Sequence, residues 1–296
     1  MIHLFFINEV SLNKNLDVCI NNIRSICENN SLEYEIITTK SISDLKSKVQ
    51  KNNEYVDSVY YAVGGDGTFQ SLVNAVDLGN AVLQYLPYGS GNNAYRTFYN
   101  RKFDLERDIL CNDTFKADLG KANSEFFVTM FGLALDSSIG KNLSKFKRFP
   151  ISGKAKYYAS ILYSVFFDCK PVNVKMTVDG ITEEKISSFI SITNGPTTGG
   201  QTPISPRSSA FDGKLNALVA DKISSMQVLK LFSKVKTGKH LSDPCISQYL
   251  FERMILESLE PLMYEIDGEI HYAKRIEIEA CKNAVTLKGR NYEHRY

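Results

Sequence analysis

The sequence lacks several features that would by themselves assign a protein to a class. Its 35 basic and 33 acidic residues leave a formal net charge of only +2, which provides no broad field for gathering nucleic acid. Its six cysteines are scattered, without a CxxC pair or a histidine at zinc-ligand spacing. No apolar run reaches the ~18 residues of a membrane-spanning helix, and no basic leader precedes the first strand-like residues. These absences predict a cytoplasmic protein with reduced thiols that binds no nucleic acid.

Hydrophobic residues make up 43% of the 296-residue chain, enough to fill the cores of two domains. At first, short apolar runs such as Ile2 to Ile7 and Val59 to Val63 alternate with helix-like stripes, which is typical of a parallel sheet covered by helices. Later, strands alternate with turns, and Asp179-Gly180 is a two-residue hairpin signal. We therefore predict an α/β nucleotide-binding domain, residues 1–118, with a parallel sheet and flanking helices. A β-rich, β-sandwich-like domain follows at 119–296, and its last residues could pack back on the first domain.

Two helices are predicted to interrupt the strand-rich second half. One runs from about Lys154 to Phe167, and its inward-facing residues include Leu162. The other runs from about Ser225 to Val235 and carries Met226, Leu229 and Phe232. Both interpretations depend on apolar residues spaced three and four apart.

The strongest local motif is Gly64-Gly65-Asp66-Gly67-Thr68, which follows an apolar strand and precedes an amphipathic helix. Glycines allow the backbone to approach an anion closely, and the start of a helix supplies free N–H groups and a positive dipole end. A capped glycine turn without a ligand is the competing interpretation. The density of glycine in this segment favours polyphosphate binding.

A second polar loop, Pro87 to Asn93, follows the next predicted strand and contains Gly89, Ser90 and Asn92. If the two strands are neighbours, both loops lie at one edge of the sheet, where open α/β sheets bind ligands. Neither loop matches GxxxxGK[ST] or a GxGxxG dinucleotide fingerprint. The sequence therefore predicts a phosphate site that is not a standard P-loop.

The two loops and a later Asp267-Gly268-Glu269 segment resemble the catalytic family of diacylglycerol kinases, which is related to sphingosine and ceramide kinases. The resemblance spans nearly the whole chain and depends on the order and spacing of these motifs. Four further blocks match in the same order: Ala117 to Lys121, Gly132-x-x-x-Asp136, Asn194-Gly195-Pro196 and Asp212-Gly213-x-Leu215. This resemblance implies an ATP-dependent lipid kinase with a cleft between two domains for ATP, Mg²⁺ and a lipid hydroxyl.

The resemblance also implies how the N-terminal residues bind the nucleotide. Gly64 to Thr68 would cradle the ATP phosphates, together with the second glycine loop. Asp66 would hold the metal or help to activate the acceptor. Asn8 and Thr39 match positions that line the nucleotide in such enzymes.

For catalysis, the resemblance implies that Glu269, beside Asp267, is the proton acceptor. Phosphoryl transfer depends mainly on positioning and charge neutralisation, so backbone N–H groups, a metal and one carboxylate near the hydroxyl can suffice. Without the resemblance, Asp267-Gly268 predicts only a hairpin turn.

The sequence departs from the family pattern at several positions. Glu9 stands where a Pro-containing glycine turn usually follows, and Asn93 replaces an aspartate found in many relatives. Arg207 and Phe211 replace acidic residues in the loop before Asp212, so we expect no structural Mg²⁺ there. Two alternatives therefore stay open: an NAD kinase, which shares the GGDG turn, and a catalytically inactive relative that binds a lipid or a nucleotide.

A cluster of basic residues suggests where a lipid surface could be met. Lys141, Lys145, Lys147 and Arg148 alternate with apolar residues, a mixture that suits anionic headgroups, although a solvated loop is the competing interpretation. The expected partners are a lipid alcohol, a transiently visited membrane surface and, by analogy with relatives, a second copy of the chain. The expected location is the cytoplasm, peripheral at the membrane surface.

Overall fold

The computed structural model describes residues 1–51, 57–146, 159–168, 170–198 and 202–290. The chain forms two compact units, one comprising Met1–Ala117 with Asn283–Tyr296 and the other Asp118–Lys282. The sequence-based division at residue 118 differs in assigning 283–296 to the C-terminal domain. The difference arises because one long strand, Glu269–Lys288, begins in the second unit and ends in the first.

The first unit is built on parallel strands in the order β4-β3-β1-β2. The end of the long strand adds to this sheet, because Thr286 and Leu287 pair in parallel with β4. Every residue of β3 is buried, as expected for a strand covered on both faces. The strands are β1 (Ile2–Asn8), β2 (Tyr34–Thr39), β3 (Ser58–Gly64) and β4 (Val82–Pro87).

Helices cover this sheet and supply its core. On α2 the buried residues Cys19, Ile23 and Cys27 pack against Phe5 and Tyr61 of the strands, and they belong to the stripe that the sequence predicts. The helices are α1 (Glu9–Leu12), α2 (Leu16–Asn29), α3 (Ile42–Lys51), α4 (Asp66–Val73), α5 (Asn93–Tyr99) and α6 (Leu105–Leu110), with a 3₁₀ turn at Asn13–Asn15.

The second unit consists mainly of antiparallel strands in the order β11-β10-β9-β7-β12-β13, with β8 pairing to both β9 and β12. The predicted Asp179-Gly180 hairpin joins β8 to β9, and both turn residues have positive φ. The strands are β5 (Thr114–Ala122), β6 (Glu125–Phe127), β7 (Met130–Ala134), β8 (Val172–Val178), β9 (Ile181–Thr193), β10 (Leu215–Asp221), β11 (Ile246–Phe251), β12 (Arg253–Ile266) and β13 (Glu269–Lys288).

Parallel pairing is limited to β1–β4 and the end of β13. The pairs formed among β7 to β12, the β12–β13 pair and the β5–β6 pair are antiparallel, so a parallel sheet does not describe the protein as a whole. The antiparallel part follows from short hairpin connections, which a parallel pair cannot use.

The described helices and helical turns of the second unit include α7 (Leu135–Phe146), a π-helical turn at Ser164–Asp168, α8 (Ser225–Val235) and a 3₁₀ turn at Lys239–Ser242. The sequence analysis did not predict α7. The bounds of α8 agree with the prediction, but its buried residues are Val228, Leu231 and Val235, whereas Met226 is exposed.

The predicted helix from 154 to 167 lies partly outside the described residues, which resume at 159. Residues 159–163 are helical and lead into the π-helical turn. Leu162, expected to face inward, is exposed. Of the basic cluster, Lys141 is exposed, the side chain of Lys145 is not described, and 147 and 148 lie outside the described residues. No helix among the described residues has the length and apolar character needed to cross a bilayer.

Candidate active site

The first predicted loop joins the end of β3 to the start of α4. Backbone N–H groups of Thr68 and Phe69 both donate to the Gly65 carbonyl, which closes the first turn of the helix. A Cβ at Gly64 would lie 2.5 Å from Thr68 Oγ1, so only glycine fits there. Thr68 Oγ1 also accepts a hydrogen bond of 2.9 Å from Asn8 Nδ2. The loop is therefore a rigid, close-packed turn at the carboxyl end of a parallel strand.

Asn8 and Thr39 lie at the carboxyl ends of β1 and β2, next in order from this loop. The Asn8 side chain holds both Thr68 and the start of α1, because its Oδ1 accepts from the N–H groups of Val10 and Ser11. The Thr39 hydroxyl donates to the Ile7 carbonyl at 3.2 Å and is buried. Their predicted nucleotide contacts remain untested, and in this structure both side chains bind the protein itself.

The second loop leaves β4 directly beside the first. Its key side chain is Asn92, whose Oδ1 accepts from the Gly89 N–H and whose Nδ2 donates to the carbonyls of Pro87 and Gly89. A Cβ at Gly89 would lie 2.5 Å from the Gly65 Cα, which shows how closely the two loops approach. The expectation that the two loops meet at one sheet edge is confirmed. Ser90 is exposed at the tip of this loop.

Asp66 connects the two loops. Its Oδ2 accepts from the Asn93 N–H at 3.1 Å, and its Oδ1 accepts from the Ala94 N–H at 3.0 Å and the Tyr85 hydroxyl at 3.3 Å. Burial raises the pKa of Asp66, and these donors oppose that rise. A carboxylate offers about four lone-pair sites, so Asp66 can brace α5 and still bind one further donor or cation.

In the second unit, the Asp267 carboxylate is occupied by the protein itself. It accepts from the backbone N–H groups of Val128, Thr129 and Met130 at 2.6, 3.0 and 3.0 Å, and from the Thr129 hydroxyl. Burial raises the pKa of Asp267, and the same donors oppose the rise. With four donors pointing at it, this carboxylate is well suited to holding the β6–β7 connection in place and poorly placed to accept a further proton.

Glu269 lies in a small polar cluster that sequence reasoning missed. It is half-buried at the start of β13, and its carboxylate, that of Glu125 and the ring of His271 bring one ligand atom each to within 4.8 Å of one another. His271 Nε2 lies 3.5 Å from Glu125 Oε2, and its ring stacks on Tyr264 with centroids 5.4 Å apart. The alternation of β13 places Glu269 and His271 on one face, a signal that the sequence contains. Glu125 comes from a distant strand and gives no such signal.

The donor sets of the two units suit different cations. Mg²⁺ prefers oxygen ligands and usually retains waters and phosphate oxygens. The Asp66 carboxylate at a phosphate-sized glycine loop fits that preference. The cluster of Glu125, Glu269 and His271 includes an imidazole, which suits transition metals better than Mg²⁺. Asp66 is therefore the residue that fits Mg²⁺ held together with a polyphosphate.

An apolar cavity of about 40 Å³ lies in the second unit. Two of the polar groups in its lining are Asp136 and Ser191, whose hydroxyl donates to the Asp136 carboxylate. Burial raises the pKa of Asp136 to about 7, against the effect of the Ser191 hydrogen bond. The apolar lining comes mostly from β9, β10 and α8: Phe189, Leu218, Val228, Leu231, Phe232 and Val235, with Ile204 and Ile246.

Glu265 lies beside Asp136 and is buried. A Cβ at Gly140 of α7 would lie 1.9 Å from Glu265 Oε2, so the carboxyl group fits only because that helix position is glycine. Burial, with the neighbouring charges of Asp136 and Asp267, holds the pKa of Glu265 well above its usual range.

The loop before Asp212, where the departures Arg207 and Phe211 lie, is held by protein contacts. The Asp118 carboxylate accepts from the Gly213 N–H at 2.6 Å, and the Asp118 N–H donates to the Ala210 carbonyl at 2.8 Å. The absence of a structural Mg²⁺ from this loop stays a prediction.

Two family models match this chain. The diacylglycerol kinase catalytic domain matches residues 3–122, and the YegS C-terminal NAD kinase beta sandwich-like domain matches 132–288, more than half of the chain. The chain belongs to the diacylglycerol kinase catalytic family. The expected relationship is confirmed, with a catalytic domain followed by a β-sandwich-like domain.

Relatives of this diacylglycerol kinase family member agree along nearly its whole length. A Staphylococcus epidermidis protein named "Putative lipid kinase" is 29% identical over 276 residues, covering 90% of this chain and 87% of its own. Two solved structures of Bacillus anthracis proteins, each named a "putative diacylglycerol kinase", have TM-scores of 0.75 and 0.77 at 22% and 20% identity. They cover 97% of this chain and 96% and 97% of their own. At that identity the solved structures show a shared fold.

Proposed function

We propose that this protein is an ATP-dependent lipid kinase that transfers the γ-phosphoryl group of ATP to the hydroxyl of a diacylglycerol or a sphingoid- or ceramide-type lipid. The observation that carries the proposal is the pair of glycine loops at the ends of β3 and β4, which Asp66 joins. Family membership and relatives named as lipid kinases support the same conclusion.

Phosphate binding is assigned to Gly64–Thr68 and to Gly89, Ser90 and Asn92 of the second loop. The first loop ends at the N-terminus of α4, where backbone N–H groups and the helix dipole favour an anion. The second loop adds little side-chain bulk near Gly65, since a Cβ at Gly89 would collide with the Gly65 backbone. In the first loop a Cβ at Gly67 would meet nothing within 4 Å, so a phosphate group has open space beside the backbone of that residue.

Asp66 is assigned to Mg²⁺, which would neutralise charge on the phosphate oxygens when bound. Its two oxygens are fixed in direction by the N–H groups of Asn93 and Ala94 and by the Tyr85 hydroxyl. A ligand held in this way needs no reorganisation to meet the cation.

Glu269 is assigned as the proton acceptor in preference to Asp267. In the transfer step, the acceptor hydroxyl oxygen forms a bond to the γ-phosphorus while the bond to the bridging oxygen of ADP breaks, and the hydroxyl proton goes to a carboxylate. The Asp267 oxygens already accept four hydrogen bonds, whereas Glu269 is half-buried at the start of β13. Only Glu269 of the pair is thus available for the proton.

The lipid part of the acceptor is assigned to the second unit. The cavity around Asp136 is walled by apolar side chains of strands and α8, which suits an alkyl chain, and its carboxylate can accept a hydrogen bond from a hydroxyl. A cavity of about 40 Å³ holds only a group the size of a water molecule, so binding of an alkyl chain requires the cavity to widen.

The test is transfer of labelled γ-phosphate from ATP and Mg²⁺ to a panel of lipid alcohols in mixed micelles, with NAD as a parallel acceptor. A labelled lipid is expected and would identify the substrate. Labelled NADP would assign the protein to the NAD kinases. ATP binding without any labelled product would support an inactive, ligand-binding relative.

A further inference from the structure

The helical segment that precedes β8 carries apolar side chains on two opposite faces. Ile161 and Val165 are 5% and 1% exposed and pack in a core cluster with α7 and α8. The remaining large side chains of the segment face solvent with exposed fractions of 42–71%: Leu162, Tyr163, Phe166 and Phe167. The rings of Tyr163 and Phe167 lie 5.0 Å apart, so these two side chains share one exposed surface.

This surface continues onto the first turn of α8. The Ser225 hydroxyl donates to the Val165 carbonyl at 2.8 Å, which fixes the start of α8 against the π-helical turn. The next residue, Met226, is 60% exposed. We call Leu162, Tyr163, Phe166, Phe167 and Met226 the aromatic face. An exposed apolar surface of this kind on a polar protein marks an interaction site.

Lysines border the aromatic face. Lys170 follows the segment, Lys222 precedes α8, and both are exposed. Lys141 is exposed beside Asn142, whose Nδ2 donates to Ser164 Oγ at 2.9 Å and Asp168 Oδ2 at 2.7 Å. Aromatic and apolar side chains edged by lysine match the apolar and anionic layers of a membrane surface.

The aromatic face also lies next to the proposed lipid site. Met226 begins α8, and the buried side of the same helix, with Val228, Leu231 and Phe232, walls the cavity that contains Asp136. Met226 of the aromatic face and part of the cavity wall therefore belong to one helix, α8. A bilayer bound to that helix would bring its lipids within one helix diameter of the cavity.

We propose that the aromatic face docks this protein on anionic membrane surfaces, with Phe166 and Phe167 inserted among the acyl chains and the bordering lysines at the headgroups. This deepens the proposed function and rests on it for the identity of the lipid site. The proposal assigns the membrane contact to one surface, on α8 and the helical segment that precedes β8. The sequence suggested such a contact only through basic residues.

The test is co-flotation of the full-length protein with vesicles, measured without ATP. The vesicles contain phosphatidylcholine alone or phosphatidylcholine with equimolar phosphatidylglycerol. Phe166→Ser/Phe167→Ser should weaken binding to the anionic vesicles at least about tenfold, because it removes most of the apolar area available for insertion. Lys170→Glu/Lys222→Glu should weaken binding too, more strongly at low salt.

The matched control is Ile181→Ser/Leu259→Ser, which removes two other apolar side chains that are 77% and 91% exposed. The control should bind vesicles like the natural sequence. Equal binding by the phenylalanine variant would overturn the proposal. If the natural sequence is a dimer in sedimentation velocity while the phenylalanine variant is a monomer that still binds vesicles, the aromatic face contacts a second copy and the proposal is also overturned. Thermal unfolding followed by circular dichroism verifies that each variant is folded.

Kinase assays separate this proposal from the proposed function. With a short-chain, monomeric acceptor, the phenylalanine variant should keep the activity of the natural sequence, and with vesicle-bound acceptor it should lose it. If the protein binds vesicles through the aromatic face but phosphorylates no lipid, the docking surface is supported and the kinase function is refuted. If the protein phosphorylates lipid but the phenylalanine variant still docks on vesicles, the kinase is supported and the docking surface is refuted.

Discussion

Replacing Asp66 by asparagine should lower both stability and turnover, because Asp66 joins the two loops as well as facing the proposed metal. Its oxygens serve different donors: Oδ2 accepts from the Asn93 N–H, and Oδ1 accepts from the Ala94 N–H and the Tyr85 hydroxyl. An asparagine side chain has one oxygen, so its amide group must face one of those N–H donors in either orientation.

The magnitude follows from that mismatch. Loss of a hydrogen bond to a charged acceptor, with one backbone N–H left unpaired, costs about 2–3 kcal/mol of unfolding free energy. Asp17→Asn is the matched control, since it removes the same charge at an exposed position in the first turn of α2. Exposed substitutions of this kind change stability by about 0.5 kcal/mol or less.

The assay combines urea unfolding of Asp66→Asn and Asp17→Asn with kcat measured over a Mg²⁺ titration. We expect a lower unfolding midpoint for Asp66→Asn and a kcat that stays near background at all Mg²⁺ concentrations. If Asp66→Asn matched Asp17→Asn in both stability and turnover, the bracing and metal roles would both be wrong. Reduced stability with normal turnover would leave only the bracing role.

Two further substitutions test other parts of the structure. Glu269→Gln should reduce kcat by at least about a hundredfold with little change in stability. Asp267→Asn should mainly lower the urea unfolding midpoint, since it weakens four hydrogen bonds. An unchanged kcat in Glu269→Gln would point to another base. Lys288 is 1% exposed and donates to the Tyr61 hydroxyl and the Ile109 carbonyl, and burial lowers the pKa of Lys288 to about 8 from its usual 10.5. The pKa of Lys288 is lower in the folded state than in the unfolded state, so its buried charge lowers the unfolding free energy by about 3 kcal/mol at pH values below ~8. This loss of stability disappears as the pH rises to ~10.5. Urea unfolding should therefore show the unfolding free energy of the natural sequence rising relative to Lys288→Met over that range; a constant difference would contradict the lowered pKa.

The fold could be predicted where one side of an element is apolar and the other is not. On α2, Cys19, Ile23 and Cys27 repeat at helical spacing, and the structure buries all three. The segment around Leu162 has apolar residues on both faces, so periodicity could not tell the buried face from the exposed one. On α8 apolar residues also occupy more than one face, since Val228 is buried and Met226 is exposed.

The candidate site was predictable as far as local sequence determines it. Glycine spacing and the neighbouring strands predicted that the two loops meet, and they do. The partners of Asp66 lie 19 to 28 residues further along the chain, so no local pattern shows them. Glu125 also lies far from Glu269 in sequence, so no local pattern predicts that their carboxylates lie close together.

The Asp267-Gly268-Glu269 segment shows that a turn signal and a functional motif need not be alternatives. Asp267 and Gly268 have φ of 47° and 93°, the positive values that a two-residue hairpin turn requires. The Asp267 carboxylate accepts three backbone N–H groups at the start of β7, and its own N–H donates to the Met130 carbonyl at 3.0 Å. The turn is therefore fixed from both sides, and β13 can begin in only one register. A slip by one residue would move Glu269 and His271 together to the opposite face of the strand, away from Glu125. Asp267 thus acts as the positioning residue for Glu269, which explains why an aspartate whose carboxylate is bound by four protein donors belongs beside a proposed base.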